Sequence, residues 1–335
     1  MTEEVFLTIG IPTYLREESL NELLVQVSQT SPTKLCEILI INNGPAIDLD
    51  KQIPMLEKSG YLIKKIQNKR NCGGQENVIR IYENASGEYV WFLGDDDRLY
   101  PDSILNVIDS LQKYPCDCLL FDADAPDHPE VRLPQDYHNL NTILGGAIPL
   151  RKLMFAPLAV IRLACILEAL PQVRLNLGCF APQLLLLVLG NVKRYFYLKR
   201  KIITCEDVNI GRDQRLSLLP VFLGIGNLVK IDVSRNFKRM LLRLLRDEWF
   251  YFLRPTRVIS ALMIAKMQGT PKSVTAFFLA GFRNYPLWLA ILFALSVVIA
   301  TITPRTISKF VLILFANKIL KKNVQFDKYF SDNRI

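Results

Sequence analysis

Over its first 122 residues the chain alternates apolar, β-branched runs with amphipathic stretches, and this alternation narrows the fold more than any other feature. Strand signals at Val5 to Ile11, Cys36 to Ile41, Tyr61 to Ile66, Glu88 to Leu93 and Cys116 to Phe121 are separated by helical patterns near Glu17 to Gln29, Gly73 to Ala85 and Pro101 to Lys113. A looser segment lies around Leu49 to Lys58. Parallel neighbours need a crossover that a helix supplies, so the pattern predicts an α/β, mostly parallel sheet with helices on both faces. Ligands of such sheets bind beyond the carboxyl ends of the strands.

One strand end is chemically distinctive. Residues 88 to 98 read Glu-Tyr-Val-Trp-Phe-Leu-Gly-Asp-Asp-Asp-Arg, an apolar run that passes directly into Asp95, Asp96 and Asp97. Adjacent carboxylates repel one another, and a divalent cation that takes hard oxygen ligands relieves the repulsion. Magnesium or manganese with a polyphosphate is the expected occupant. An EF-hand calcium loop does not fit, because Tyr100 and Asn106 stand where its glycine and glutamate belong.

Composition matters mainly through its asymmetry. The formal charge of +9 divides into 16 basic and 24 acidic side chains over residues 1–190, against 25 basic and 8 acidic over residues 191–335. In the second part the cations are interleaved with Leu, Phe, Trp and Ile, which matches an anionic membrane surface better than nucleic acid. Phe237, Met240, Leu241, Leu244, Leu245 and Trp249 share one helical face, with Lys238, Arg239, Arg243 and Arg246 mostly off it. A helix packed on the sheet domain with a solvated face has the same pattern.

Tyr285 to Ile302 is an uncharged run of 18 residues between Arg283 and Arg305. That is the lower limit for a membrane span, and a buried helix is its alternative. A shorter apolar stretch, Ile307 to Leu320, follows Pro304. The seven scattered cysteines indicate neither a zinc site nor a disulfide framework. With no apolar segment near Met1, no signal peptide is expected and the catalytic part belongs in a reducing cytoplasm.

Residues 123–149, rich in Asp, Pro, His and Asn, read as a loop outside the sheet. Helices are expected near Arg151 to Ala169 and Pro182 to Leu189, then a strand over Arg194 to Thr204, with helix from Arg212 onwards.

Four strings in register carry a resemblance: Phe6-Leu-Thr-Ile-Gly-Ile-Pro-Thr-Tyr14, Glu37-Ile-Leu-Ile-Ile-Asn-Asn-Gly44, Asn71-Cys-Gly-Gly-Gln-Glu-Asn77 and Gly87-Glu-Tyr-Val-Trp-Phe-Leu-Gly-Asp-Asp-Asp97. Over roughly residues 4 to 125 they resemble the family 2 glycosyltransferases. The last string is similar to the branch that includes abequosyltransferases of O-antigen synthesis. The resemblance implies a GT-A, Rossmann-like fold over residues 1–212, with a nucleotide-sugar half to about 125 and an acceptor half after it. Residues 213–335 would then form a helical, membrane-associated region, held on the cytoplasmic face by about 285–322.

The resemblance also implies the site. Pro12, Thr13 and Tyr14, with Arg16 or Glu17, would wall the nucleotide pocket; a strand-ending turn explains Pro12 equally well. Asn42 stands where the family usually has an Asp that accepts the N3 proton of uracil or thymine. An amide donates as well as accepts, so a cytidine donor becomes admissible, and Asn42-Asn43-Gly44 is also an ordinary turn. Asn71, Gly73 and Asn77 would line the donor site at a helix start, or simply cap that helix. Asp97 is the expected ligand of Mg2+ or Mn2+, with Asp95 reaching the ribose or the metal and Asp96 beside them.

An inverting enzyme needs a carboxylate base. The acidic pair of many relatives is absent at Phe180-Ala-Pro-Gln183; Asp207, then Asp124, lead the candidates, with Glu206, Asp122 and Asp127 behind them, and a solvated loop explains any of these acids as well. The expected partners are a nucleotide sugar, a lipid-linked saccharide acceptor and an anionic membrane surface, with no nucleic acid. A non-catalytic GT-A-like scaffold of a polysaccharide complex is the alternative. A nucleotidyltransferase is disfavoured because Gly10-Ile-Pro-Thr-Tyr lacks a Gly-rich, basic triphosphate loop.

Overall fold

The computed structural model describes residues 4–121, 156–175, 192–198 and 200–203, the backbone of 135–137 and 204, and single positions at 235, 291, 295, 298, 299, 302 and 303. The chain divides into two compact units, Met1–Asp207 and Val208–Ile335.

The first unit is built on strands β1 (Leu7–Thr13), β2 (Cys36–Asn42), β3 (Tyr61–Gln67), β4 (Tyr89–Phe92), β5 (Arg98–Leu99), β6 (Cys118–Phe121), β7 (Gln135–Tyr137), β8 (Ala159–Arg162), β9 (Tyr195–Leu198) and β10 (Ile203–Thr204). Its helices are α1 (Glu17–Ser28), α2 (Gln52–Lys58), α3 (Gly74–Asn84), α4 (Ser103–Lys113) and, after a 3-10 turn at Ala156–Leu158, α5 (Leu163–Leu175). Eight strands form one sheet in the order β3-β2-β1-β4-β8-β6-β9-β7, and β10 pairs with β5 in a second.

β2 is buried along its whole length, as a near-continuous apolar strand between parallel neighbours must be. β3, at the edge, instead leaves Leu62, Lys65 and Gln67 exposed, and a charge on an edge strand discourages edge-to-edge pairing. The parallel register sets Thr13, Asn42 and Gln67 side by side at the carboxyl ends of β1, β2 and β3. Beside them the backbone N–H of Leu93 donates to Gly10 O at 3.0 Å, which carries β4 up to the same edge.

Helix α3 lies directly over β1 at Gly10. A Cβ there would stand 2.1 Å from Cγ2 of Ile81, a stiff β-branched side chain that cannot swing aside. Gly10→Ala is therefore expected to push α3 off the sheet at a cost of about 1–3 kcal/mol, read as a lower melting temperature.

Four expectations need correction. The sheet is mixed rather than mostly parallel, because β8 inserts between β4 and β6 antiparallel to both and β7 is antiparallel to β9. The helix expected from Arg151 is interrupted by β8, whose Val160 and Ile161 are buried between two strands; a short apolar run has no period by which to tell a buried strand from a buried helix. Gln135–Tyr137, within the expected loop, pairs with β9. The strand expected over Arg194 to Thr204 splits, β9 staying in the main sheet while β10 crosses to β5.

Helix α4 begins at Ser103 rather than Pro101, since Asp102 is left-handed at φ 59°. Pro182 to Leu189, the basic amphipathic stretch 237–249 and most of 285–322 lie outside the described residues. Among the described residues no helix is long and apolar enough to cross a membrane.

Candidate active site

Where β4 ends, Gly94 to Asp97 close a turn. Asp97 donates its backbone N–H to Gly94 O at 3.1 Å, and the Gly94 N–H donates to Asp97 Oδ2 at 2.5 Å. A Cβ on Gly94 would lie 2.9 Å from Asp96 Oδ1 and 3.2 Å from Asp97 Oδ2, so glycine leaves room for these two carboxylates to fold back over the strand end.

The three acids differ in surroundings. Asp95, 5% exposed, accepts from the Thr13 hydroxyl at 2.7 Å and from one Arg16 nitrogen at 3.2 Å. The same nitrogen donates to Asp96 Oδ2 at 2.6 Å. Asp97, 7% exposed, has no ion-pair partner among the described residues. Its neighbour Arg98 points instead to the Asp97 carbonyl and to Glu22 on α1.

Burial, followed by the neighbouring Asp96 and Asp95 charges, pushes the Asp97 carboxyl up to about 8 against the pull of the Gly94 N–H. Burial also raises Asp95, opposed by Thr13 and Arg16.

This donor set fits a hard divalent cation. Among the described residues no three His, Cys, Asp or Glu side chains form a closed cage. Magnesium and manganese do not need one: they are held by one or two carboxylates and take water and substrate phosphate for the rest. The buried, uncompensated Asp97 is the group that such a cation would relieve.

Next to the acids runs a layer of amides. The Asn43 backbone N–H donates to Thr13 O at 2.9 Å. Its side-chain Nδ2 donates to Asn71 Oδ1 at 2.7 Å, and Asn71 Oδ1 also accepts the Gly73 N–H at 2.8 Å. Asn43 Oδ1 accepts from Asn68 Nδ2 at 3.0 Å, the Cys72 N–H at 2.9 Å and the Cys72 thiol at 3.2 Å. A hydrogen-bonded rim thus runs from Asp95 through Thr13, Asn43 and Asn71 to Gly73.

At that end Gly73 has φ +85° as the N-cap of α3, which selects glycine. A Cβ on Gly73 or Gly74 would meet nothing within 4 Å. No packing demand explains Gly74, and the helix start is open to an approaching anion.

Of the residues singled out from the sequence, Thr13, Asn71, Gly73, Asp95, Asp96 and Asp97 fall on this rim or its acidic end. Pro12 pairs with Ile41 within the sheet, and Tyr14 lies exposed beside Gly44. Glu17 opens instead onto a neighbouring groove of about 780 Å3 along α1, with Glu18, Asn21, Glu22 and Arg98.

Two amides expected against the donor are committed to the framework. Asn42 is buried; its Nδ2 donates to Pro45 O and to Gln67 Oε1, and its Oδ1 accepts the Gly44 N–H. Asn77 is buried too, donating to Ile41 O at 3.2 Å and accepting from Asn68 at 2.9 Å, which ties α3 to the end of β2. Asp124 and Asp207 lie outside the described residues.

The sequence reading passed over Asn43, Gln67 and Asn68. A signal was present: Gln67-Asn68 ends β3 as Asn42-Asn43 ends β2, and parallel register brings the two amide pairs together.

Comparison with known proteins agrees with this geometry. Residues 8–161 match the model of glycosyl transferase family 2. A stretch of 102 residues is 28% identical to the abequosyltransferase RfbV of Salmonella typhimurium, covering 30% of this chain and 31% of that protein. The match therefore spans less than a third of the relative.

Among solved structures, S. aureus TarS 1-349 is similar with a TM-score of 0.54 at 17% identity, over 88% of this chain and 90% of that one. The mannosyltransferase PcManGT of Pyrobaculum calidifontis, in complex with GDP-Man and Mn2+, gives 0.50 at 13% identity, over 96% and 89%. At such identities the likeness is one of fold. Sheet order, acidic turn and family match converge on residues 8–161, the stretch over which the chain is similar to glycosyltransferase family 2.

Proposed function

We propose that this protein transfers one sugar from a nucleotide donor to a hydroxyl of a lipid-linked saccharide in cell-surface polysaccharide synthesis. The observation that carries the reading is the rim from Asp95 to Gly73: buried acids at one end, open backbone amides of a helix start at the other, and neutral amides between. TarS is known in complex with UDP and with UDP-GlcNAc, which supports a nucleotide-sugar donor here.

In this reading Asp97 and Asp95 hold Mg2+ or Mn2+, which when bound neutralises charge on the departing diphosphate. Thr13 fixes the Asp95 carboxylate and Gly94 sets its turn. Asn42 and Asn77 act through the framework, shaping the loop that presents Asn43 and Asn71.

For the base, chain geometry favours Asp207 over Asp124. Thr204 pairs with Arg98, the residue after Asp97, so Asp207 lies three residues from a strand docked at the acidic turn. Three residues reach at most about 10 Å. Asp124 follows β6 by three residues, but β8 separates β6 from β4, adding roughly two strand spacings of about 4.8 Å each.

Attachment to the cytoplasmic face of a membrane through about 285–322 is part of the proposal. Ile291, Leu295, Val298, Ile299 and Ile302 are helical, exposed and spaced to share one helix face. The surplus of 25 basic over 8 acidic residues after position 190 supports an anionic surface.

The test is calorimetry of UDP, CDP, dTDP and GDP against the full chain in detergent, with and without Mn2+, beside Asp97→Ala. One nucleotide should bind in a metal-dependent way and lose that dependence in the variant. Failure of all four to bind would refute the reading. Binding without transfer to any saccharide acceptor would favour the scaffold alternative.

A further inference from the structure

The loop between β1 and α1 holds an arrangement that the donor site does not require. A single Arg16 nitrogen bridges Asp95 Oδ1 at 3.2 Å and Asp96 Oδ2 at 2.6 Å, so the guanidinium covers Asp95, one of the two acids that would hold the cation. Asp95 is held on its other oxygen by Thr13, leaving Oδ1 as the face that Arg16 covers.

Several observations make this contact exchangeable. The Arg16 side chain is 50% exposed, so it can leave without opening the core. It is the N-cap residue of α1 and makes no side-chain cap hydrogen bond. A cation there meets the positive end of the helix dipole, so its acidic partners, not the helix, keep it in place. It follows Leu15, a non-glycine residue at φ 56° with an exposed apolar side chain, a backbone state that costs energy.

We propose that Arg16 is a built-in counter-ion exchanged on donor loading. In the metal-free protein it neutralises Asp95 and Asp96. When Mg2+ or Mn2+ takes Asp97 and Asp95, like-charge repulsion expels the guanidinium from Asp95, and the donor diphosphate offers it a bidentate anionic partner in place of the two carboxylates. Arg16 is then a positioning residue: it lowers affinity for bare metal and raises affinity for the nucleotide diphosphate, so metal and nucleotide load together. The inference rests on the metal-dependent donor site proposed above and adds an order to its loading.

Its signature is a pair of effects of opposite sign. In Arg16→Gln, Mn2+ binding without nucleotide, measured by electron paramagnetic resonance titration of the full chain in detergent, should tighten by about three-fold or more, as for loss of a partly exposed ion pair. Binding of the preferred nucleoside diphosphate at saturating Mn2+, measured by calorimetry, should weaken by about ten-fold, as for loss of a charge-assisted contact. Arg16→Lys keeps the charge but not the fork, and should restore most of the metal competition with little of the nucleotide affinity.

A merely structural role would weaken both ligands together, and that result overturns the proposal. So does unchanged or weaker Mn2+ binding in Arg16→Gln, or nucleotide binding that does not fall. Mn2+ binding to neither wild type nor variant removes the donor-site reading and this inference together. Normal Mn2+ binding by wild type, unaltered by Arg16→Gln, removes this inference alone. Circular dichroism at matched temperature establishes that the variants are folded.

Discussion

Asp97→Asn is expected to abolish glycosyl transfer while making the metal-free protein more stable at alkaline pH. The loss should reach about 10^3-fold, because a cation that stabilises the leaving diphosphate supplies several kcal/mol and each 1.4 kcal/mol is roughly ten-fold in rate. Asparagine keeps an oxygen for the Gly94 N–H, so the turn survives and the effect isolates the charge.

The gain in stability follows from linkage. Asp97 has a carboxyl raised to about 8 in the folded protein, chiefly by burial, against an ordinary value of 3.8. Between those values the folded state binds the proton and the unfolded state has released it, so stability falls as pH rises through the window. The full contribution is present below the unfolded value and is lost as pH passes the folded one.

With chelator present, the wild type should therefore melt progressively lower from pH 5 to pH 8, more steeply than Asp97→Asn, and Mn2+ at pH 8 should recover the difference for the wild type alone. The variant's advantage at pH 8 is on the order of a few kcal/mol. Parallel melting profiles for the two proteins would mean that Asp97 does not hold its proton in the folded state as its burial implies.

That behaviour was partly legible in the sequence. Three consecutive acids after an apolar strand announce a site, because charge repulsion at a strand end has no folding purpose. Which of them is uncompensated is not legible. It depends on Arg16, 79 residues from Asp95, reaching Asp95 and Asp96 but not Asp97, and on Arg98 turning away towards α1.

Asn42 teaches the same lesson. Its type and place announced a ligand contact, but parallel register sets it against Gln67 and the loop closes on it through Pro45, so the amide that joins the hydrogen-bonded rim is that of its neighbour Asn43. Period and turn chemistry carried the first half of the sheet, where strands and crossover helices are long. They failed at Ala159–Arg162, four residues whose strand character comes wholly from the gap between β4 and β6 that they fill.

That same seam is the site of the largest stability effect. Trp91 is fully buried in β4, paired with Ile9 of β1 on one side and Val160 of β8 on the other, and its indole N–H donates to the Pro157 carbonyl at 2.8 Å. It therefore joins the parallel half of the sheet to the antiparallel insertion, four residues before Asp95.

Trp91→Ala should cost about 3–5 kcal/mol through the cavity alone, against a total of roughly 5–15 kcal/mol for an ordinary domain. Trp91→Phe retains most of the ring volume but leaves the buried Pro157 carbonyl without its donor, for about 1–3 kcal/mol. The two variants thus separate packing from hydrogen bonding, with urea midpoints followed by far-ultraviolet circular dichroism as the measurement.

The functional corollary is specific. If β4 is aligned by this seam, Trp91→Phe should weaken Mn2+ binding less than it lowers the midpoint, because Gly94 to Asp97 are also held by Gly10, Thr13 and their own turn. A phenylalanine variant of normal stability that has lost Mn2+ would place the control of the acidic turn in the insertion, through Pro157, and not in the parallel strands.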